Sequence, residues 1–522
     1  MKKTIMAPSK GIVKNQEFPH DLIDDRAWSD GNNIRFGEGY VEKVGGWKKF
    51  MTTPLDGAIM AIDNYYQFDG DEFLMLITPT TVYKYDPGTN TGIDIATTSL
   101  TGTPSDVIIT ETSRNLFVLT NGKDKVQYWD GAASSIADLP GLTDCVNAGQ
   151  TAGIIVNNAK CLVNFGNFLI LGGTTEDGVA YPQRIRWSQI GNIQKWKLET
   201  DGSGQAGWGD LTDGVDWIVR LMPFKNYLVC YKERSIQVIT YVGGTDIFDK
   251  WPAIAGTGLL APRAIVDLGD EHLFLGPDNF YSFNFQEVLV AGDDIAKDFF
   301  KHLDPSKASL TTAFVVEEHS EVWFNYVSID STDGLHDKAM VYNYETKAWS
   351  PRDMPMTAFG YYRAEENTTI DSLDIDIDSM NDAFDDSKNL ANAPLNLCGD
   401  AQGYIYLLDG HAKDGVDLPC FIRTKLFDFE APDKLKRANR IQFMISREGS
   451  YNLEVRIGTA ANVGEPITWS SNKYMSLNTS ALPWIDFDIT SRYMMFEFGT
   501  PLKDQPFKLT GYIIYYDERG AF

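Results

Sequence analysis

A short β-hairpin pattern recurs along this chain, and no other feature of the sequence restricts the fold as strongly. The clearest copy is residues 160–173, where Gly166-Asn167 supplies a turn that tolerates positive φ and residues 168–171 form a continuous apolar run. So short an apolar run between turn residues is too short for a buried helix and is typical of a central strand covered on both faces. The pattern predicts small antiparallel sheets.

The copies are spaced regularly enough to indicate a repeat architecture. They are centred on Phe73, Leu116, Phe168, Tyr227, Leu273, Val322 and Tyr404. Successive copies lie about 43 to 59 residues apart, with one wider gap before the last, which fits four-stranded blades. We therefore predict an all-β fold containing a β-propeller of six or seven blades. An ordinary β-sandwich with frequent hairpins is the alternative.

Changes in composition and in the spacing of the predicted strands divide the 522 residues into three predicted parts. Residues 1–50 are an N-terminal lead-in with a short helix at 22–28 and a hairpin, and residues 51–418 are the propeller. A strongly acidic insertion at 363–392 interrupts the propeller rhythm. Residues 419–522 are predicted to form a C-terminal antiparallel β-sandwich. The best amphipathic helix is 293–303, with Ile295, Phe299 and Leu303 on one face behind an Asp cap.

The charge balance excludes one large class of function. A formal charge of −26, from 72 acidic and 46 basic side chains, is unsuited to a surface that grips nucleic-acid phosphates. It remains compatible with a protein that nucleic acid passes without sticking. The five cysteines form no Cys-x-x-Cys pair and indicate reduced, mostly buried thiols. No apolar signal-peptide core follows Met1, and no apolar run is long enough for a membrane span, so we expect folding in a cytoplasm.

A glycine-rich hairpin ends the lead-in. Residues 34–36 form one predicted strand, Gly39 lies in the turn, and residues 40–44 return. Gly45 and Gly46 then let the chain bend before Trp47 packs. The pattern Asn-x-Arg-Phe-x-x-Gly-x-x-x-Lys-x-Gly-Gly-Trp resembles the opening of tail-hub proteins of short-tailed bacteriophages (podoviruses), also called tail nozzle, tail tube or packaged-DNA stabilisation proteins. The matching residues are Asn33, Arg35, Phe36, Gly39, Lys43, Gly45, Gly46 and Trp47.

Two later segments are similar to the same family. The first is an Arg-x-x-Trp-Ser segment followed by a glycine and a closing tryptophan, at Arg184, Trp187, Ser188, Gly191 and Trp196. On a strand, residues 184 and 186 would share one face and residues 185 and 187 the other. The second segment is 258–265, leading into 275–281. All three also suit turn-rich hairpins of other β proteins.

The resemblance implies a structural protein of the virion tail, assembled in the host cytoplasm. It would form a homohexameric ring between an adaptor or connector on the capsid side and tail fibre, spike or needle proteins. Its channel would retain the genome and then pass double-stranded DNA into the host without binding it tightly. No enzymatic activity and no cofactor are implied. A carbohydrate-binding or carbohydrate-cleaving propeller and a monomeric interaction scaffold are the alternatives.

Few residues are candidates for chemistry. Acidic positions in the insertion match part of a calcium-binding loop, although its usual glycine and glutamate are replaced: Asp374, Asp376, Asp378, Asp382 and Asp385. The six histidines show no metal spacing, and His272 is predicted to be structural. No catalytic nucleophile, phosphate-loop or zinc motif is present. One basic cluster is either a solvated loop or a docking patch for an acidic neighbouring subunit: Lys434, Lys436, Arg437 and Arg440.

Overall fold

The computed structural model describes residues 1–14, 24–96, 99–145, 153–197, 205–244, 247–363, 394–446, 449–478 and 482–521. In these residues the chain is all-β, as predicted, and consists of antiparallel sheets of four to six strands. The strands of the N-terminal segment are β1 (Lys2–Met6), β2 (Trp28–Asn32), β3 (Ile34–Gly37), β4 (Tyr40–Lys43) and β5 (Lys48–Lys49).

Seven small sheets follow in chain order, which we call sheets 1 to 7. Sheet 1 contains β6 (Ala61–Tyr66), β7 (Glu72–Ile77), β8 (Val82–Asp86) and β9 (Thr91–Asp94). Sheet 2 contains β10 (Ile109–Ser113), β11 (Leu116–Thr120), β12 (Gln127–Trp129) and β13 (Ala137–Asp138). Sheet 3 contains β14 (Val156–Phe165), β15 (Phe168–Glu176), β16 (Val179–Trp187) and β17 (Gly207–Asp210). Sheet 4 contains β18 (Ile218–Phe224), β19 (Tyr227–Lys232), β20 (Ser235–Tyr241), β21 (Phe248–Lys250) and β22 (Ile254–Ala255).

The remaining small sheets flank the one α-helix of the described residues, α1 (Ala296–His302). Sheet 5 contains β23 (Ile265–Asp267), β24 (His272–Leu275), β25 (Phe280–Phe283) and β26 (Val288–Val290). Sheet 6 contains β27 (Thr312–Val316), β28 (Glu321–Tyr326), β29 (Lys338–Asn343) and β30 (Ala348–Asp353). Sheet 7 contains β31 (Ala358–Tyr362), β32 (Leu395–Gly399) and β33 (Ile405–Leu407), and β5 completes it from the N-terminal segment. Two 3-10 helices are Ala308–Leu310 and Glu317–His319.

The C-terminal strands form two six-stranded sheets, which we call the paired sheets. Their strands are β34 (Cys420–Thr424), β35 (Lys434–Ile445), β36 (Asn452–Ala460), β37 (Thr468–Trp469), β38 (Lys473–Ser476), β39 (Trp484–Ser491), β40 (Tyr493–Thr500) and β41 (Lys508–Ala521). One paired sheet has the order β3-β4-β41-β35-β39, with β1 also on β41. The other has the order β2-β34-β40-β36-β37, with β38 also on β36.

The small sheets pack one on the next because their middle strands are apolar on both faces. Leu169 and Ile170 are neighbours in β15 and point to opposite faces, yet both are fully buried. Shared cores join each sheet to its successor, and Leu397 of sheet 7 packs with Leu74 of sheet 1. The arrangement is propeller-like. The seven predicted hairpins fall in seven successive sheets, which confirms that part of the prediction.

The paired sheets enclose a single apolar core. Phe443 of one sheet lies 5.2 Å from Phe498 of the other, measured between ring centroids, and Trp28 lies 5.8 Å from Tyr512. Each of these four side chains is almost completely buried. We call sheets 1 to 7 the ring of small sheets, because sheet 7 packs back on sheet 1. The core of the paired sheets continues into sheets 5 and 6, so the ring and the paired sheets are in direct contact.

Three local predictions need correction or completion. The hairpin of β3 and β4 is confirmed, but the lead-in is not a separate element, because four of its strands belong to the paired sheets. The predicted helix at 22–28 lies partly outside the described residues, and Trp28 begins β2 instead. Helix α1 buries Ile295, Phe299 and Leu303 as expected. The predicted aspartate N-cap of this helix is wrong, because Ile295 occupies the N-cap position and makes no side-chain capping hydrogen bond.

Candidate functional site

The N-terminal motif lies where the ring of small sheets meets the paired sheets, and we call this region the joint. Asn33 is buried and has φ of 57°, a conformation that asparagine tolerates better than most residues. Its side-chain nitrogen donates to the carbonyl oxygen of Pro419 at 2.8 Å, and its side-chain oxygen accepts from the backbone N–H of Asp353 at 3.0 Å. One side chain thus connects β30 of sheet 6 to the start of the paired sheets.

A buried carboxylate forms the electrostatic centre of the joint. Glu321 of β28 is 1% exposed and accepts from Arg35 Nε at 3.0 Å, from Arg352 at 2.6 Å and from Trp323 Nε1 at 2.9 Å. Burial opposes ionisation of Glu321, but the positive charges of Arg35 and Arg352 outweigh it and lower its pKa to about 2. The carboxylate is therefore charged at neutral pH and ties β3 to sheet 6.

The other residues of the motif hold the segment in place on either side of this connection. Lys43 is buried and donates from Nζ to the carbonyl oxygen of Leu502 at 2.6 Å, and burial lowers its pKa. At Gly46 a Cβ would lie 2.0 Å from the carbonyl oxygen of Ala412, so only glycine fits there. Trp47 then enters the core between sheets 6 and 7, immediately before β5. Phe36 lies in the core of the paired sheets and Gly39 turns the hairpin, with φ of 78°.

The second motif forms a buried ion cluster inside sheet 3. Arg186 is 1% exposed and donates to both oxygens of Glu176, from Nε at 2.9 Å and from NH2 at 2.8 Å. Arg184 donates to Glu176 at 2.9 Å and to both carboxylate oxygens of Asp210 at 2.8 and 3.0 Å. Burial disfavours the charged form of Glu176, but Arg186 and its other partners lower its pKa overall. The two arginines share one strand face, as predicted.

The remaining residues of the second motif fix the turn that follows β16. Ser188 Oγ accepts from the backbone N–H of Leu169 at 3.0 Å, and Trp187 Nε1 donates to the carbonyl oxygen of Gln205 at 2.7 Å. Gly191 has φ of 72°, and Trp196 is buried with its Nε1 donating to a backbone carbonyl. These side chains therefore bind backbone groups around the turn, whereas Arg184 binds carboxylates within the sheet.

The third motif connects sheets 4 and 5. A Cβ on Gly258 would lie 2.3 Å from the backbone of Glu233, and Leu260 donates its N–H to the carbonyl oxygen of Leu275 at 2.9 Å. All three motifs therefore occupy connections within the fold, and none of them presents a reactive side chain to solvent.

The basic cluster is neither a solvated loop nor a free patch, since all four residues belong to strand β35. Lys436 is completely buried and donates to the carbonyl oxygen of Arg492 at 2.9 Å. The other three members each have a carboxylate of the same chain within hydrogen-bonding distance, and their partners are Glu518 for Lys434, Asp488 for Arg437 and Asp486 for Arg440. A docking role for Lys436 is wrong because its side chain is not accessible. Roles for the other three at a subunit contact stay predictions.

Other predicted positions have a simple outcome. The calcium-loop candidates, Asp374 to Asp385, lie outside the described residues. Within the described ranges, no three histidine, cysteine, aspartate or glutamate side chains are grouped to hold a metal ion. His272 is fully buried and bonded to Tyr231 and to the carbonyl oxygen of Pro223, which confirms a structural role. All five cysteines are free and buried, as predicted.

Sequence analysis missed a charged cluster at the centre of the ring. The first strands of neighbouring small sheets contact one another, from β6 through β10 and β14 to β18, and from β23 through β27 and β31 back to β6. Four half-buried charged residues lie on or beside these strands, namely Asp63, Glu111, Arg220 and Arg263. Burial, together with the neighbouring Asp63, raises the pKa of Glu111 to about 7 although Arg220 opposes the shift. For Asp63, Glu111 and Arg220 the sequence signal was a single charge within a first strand, which pattern analysis treats as solvent-facing, whereas Arg263 lies just before β23.

Comparisons with known proteins supply similarity to solved structures alone. No protein-family model matches the chain, and no curated protein matches it in sequence. The chain is similar to the computationally designed Ika8 protein over 73% of its own length and 96% of that chain, with 14% identity and a TM-score of 0.34. It is similar to Saccharomyces cerevisiae Sqt1 over 73% of its length and 99% of that chain, with 9% identity and a TM-score of 0.39. Neither similarity assigns a function.

Among the residues with described positions, no helix is both long and apolar enough to cross a bilayer.

Proposed function

We propose that this chain is a structural subunit of the tail of a short-tailed bacteriophage, in the hub or nozzle ring that retains the genome and passes it into the host. The observation that carries the proposal is the joint. Among the residues that resemble the family's opening motif, Asn33, Arg35 and Trp47 fasten the ring of small sheets to the paired sheets. A motif with that purpose is expected of a protein whose task is to hold its shape under load.

The fold assigned with this proposal is a seven-bladed propeller joined to a C-terminal β-sandwich. Seven successive sheets with shared cores support the propeller, and β5 pairs with β33 of the last sheet, so that the two ends of the ring are fastened together. The single apolar core between the two six-stranded sheets supports the sandwich.

The channel of the proposed tail lies between copies of the chain rather than through one of them. Arg263 beside sheet 5 donates to the carbonyl oxygen of Met60 beside sheet 1, across the ring. Leu335, from the loop between β28 and β29, packs in the core of sheets 1 and 2. Lys307 Nζ donates to Ser105 Oγ at 2.8 Å, which bridges the ring at a third point. A homohexamer would enclose the passage for DNA instead.

The charge of the chain suits a surface that DNA passes. A channel lined by lysine and arginine would release counterions at each phosphate and retain the genome by affinity. The net charge of −26 supports an acidic lining, whose repulsion fades within about 8 Å at physiological salt and so does not block passage. The partners of the ring would be an adaptor or connector above it and fibre, spike or needle proteins below it.

Assembly state gives the most direct test. Sedimentation velocity of the purified chain, alone and mixed with the other tail proteins, is expected to show a hexamer. Charge reversal at Arg437 and Arg440 together should weaken the hexamer, whereas reversal at Lys125, exposed on sheet 2, should not. A chain that stays monomeric at every concentration and with every partner would refute the proposal.

Binding and activity measurements separate the alternatives. We expect the assembled ring to bind duplex DNA weakly even at low salt, and purified virions to contain the chain in their tails. We also propose that the chain is not an enzyme and needs no cofactor. Hydrolysis of a polysaccharide that disappears on substitution of a single carboxylate would favour the carbohydrate-cleaving alternative instead.

A further inference from the structure

The charged cluster at the centre of the ring contains two arginines that come from different sheets. Arg220 lies on β18, the first strand of sheet 4, and Arg263 lies just before β23 of sheet 5. Asp63 on β6 and Glu111 on β10 face them from sheets 1 and 2, and each of the four side chains feels the charge of at least one other.

These two arginines differ from the buried arginines elsewhere in the chain. Arg186 and Arg352 each have a carboxylate oxygen within hydrogen-bonding distance, at 2.8 and 2.6 Å. Among the residues the structure describes, no carboxylate oxygen lies within 4 Å of the guanidinium of Arg220 or Arg263. Arg263 donates to a backbone carbonyl, that of Met60. Both guanidinium groups therefore keep donors that are not used by an acidic side chain.

The backbone holds Arg220 in this position by an irregularity in its strand. The pairing of β18 with β19 shifts register between Ile218 and Arg220, which is a β-bulge. Bulges turn a side chain away from the direction that regular pairing would give it, and they are common beside binding sites. In this case the bulge lies one residue from the arginine at the ring centre.

The electrostatics of the cluster favour an added negative charge. Burial and the repulsion from Arg220 lower the pKa of Arg263 to about 10, and burial lowers the pKa of Arg220. Burial raises the pKa of Asp63 and of Glu111, so an ionised acid is disfavoured at both positions in the folded chain. Guanidinium groups bind oxyanions through paired hydrogen bonds, and an anion bound between the two arginines would offset their mutual repulsion.

We propose that Arg220 and Arg263 form a binding site for a small dianion with oxyanion groups, such as phosphate or a dicarboxylate, at the centre of the ring of small sheets. Asp63 and Glu111 set its affinity by opposing the ligand's charge. The site is independent of the proposed tail function, because it lies within one chain and would exist equally in a monomer. A dianion there would link sheets 4 and 5 and stabilise the ring from its centre.

The test is titration calorimetry of the full-length chain with inorganic phosphate and, separately, with succinate, at low ionic strength. We expect saturable binding of one anion per chain by at least one of the two probes. Binding of phosphate alone would assign a tetrahedral oxyanion, and binding of succinate alone a dicarboxylate. Arg220→Gln should weaken binding by about tenfold or more, because a charged donor is lost. Arg234→Gln, an exposed arginine of sheet 4, is the matched control and should bind like the wild type.

A second variant keeps the test decisive if Arg220→Gln folds poorly. Asp63→Asn removes an opposing charge and should tighten binding by roughly threefold or more. Nonspecific association with the protein surface would not respond in this way. No saturable binding of either probe at 10 mM, or equal affinities of the wild type and both site variants, would overturn the proposal.

Discussion

Removal of the buried carboxylate at the joint should destabilise the protein far more than removal of an exposed one. In Glu321→Gln the charge that balances Arg352, itself 1% exposed, disappears. Leaving one partner of a buried ion pair uncompensated typically costs about 3 to 5 kcal/mol. The acidity of Glu321 gives a second measure. Its pKa of about 2, against an ordinary value of 4.5, corresponds to about 3 kcal/mol.

The sign of this contribution makes the prediction specific. Because the pKa of Glu321 is lower in the folded chain, its stabilisation is complete above the ordinary pKa of 4.5 and is lost as the pH falls toward 2. We expect the difference in unfolding free energy between the wild type and Glu321→Gln to shrink by about 2 kcal/mol between pH 7 and pH 3. Urea unfolding followed by fluorescence measures this difference.

The control is an exposed ion pair on sheet 2. Asp138 and Lys125 are 53% and 44% exposed, so Asp138→Asn should cost less than about 1 kcal/mol at either pH. A cost for Glu321→Gln as small as that of the control would refute the argument. So would a difference that stays constant as the pH falls.

The other predictions concern packing, backbone and the ring centre. Leu169→Asp places a charge in a fully buried strand and should lower the unfolding free energy by several kcal/mol, whereas Leu169→Met should cost less than about 1.5 kcal/mol in the same urea titration. Gly46→Ala should reduce the melting temperature clearly more than Gly45→Ala, whose Cβ would lie 3.3 Å from the nearest atom, and equal melting points would contradict the steric account. Glu111→Gln should be as stable as the wild type near pH 4.5 and more stable by up to about 3 kcal/mol at pH 8, since the raised pKa of Glu111 means that its ionised form is disfavoured in the folded chain. A stability difference between the two proteins that stays constant from pH 4.5 to pH 8 would contradict this account.

Local patterning predicted the units of the fold well. Apolar strands that follow a tight turn, such as the one after Gly166-Asn167, appear as the middle strands of successive sheets, since burial on both faces requires a continuous apolar run. The hairpin of β3 and β4 also follows directly from its glycine turn. Strands β37 and β38, of two and four residues, were not predicted because neither contains an apolar run.

Long-range pairing could not be predicted from local sequence. Strand β1 lies beside β41 and β5 beside β33, across most of the chain, and nothing in either short strand specifies its partner. The basic cluster shows the same difficulty at the level of a site. Its residues looked like a loop because Lys, Arg and Asn alternate with few apolar residues, while their carboxylate partners lie on β39 and β41. Only the sheet order reveals that these charges are balanced within the chain.

The N-terminal segment couples the two halves of the molecule, and this leads to the last prediction. Strands β1 to β4 belong to the paired sheets, whereas β5 completes sheet 7. The joint adds two ties between them: Arg35 donates to Glu321 of sheet 6, and the side-chain oxygen of Asn33 accepts from the backbone N–H of Asp353 of the same sheet. If the ring unfolds, β5 and Trp47 lose their partners and the segment is no longer held in place. If the paired sheets unfolded instead, the apolar side chains of sheets 5 and 6 that pack against their core would become exposed. We therefore expect one calorimetric unfolding transition for the whole chain, with equal calorimetric and van't Hoff enthalpies. Two separate transitions, one for each half, would show that the joint does not couple them.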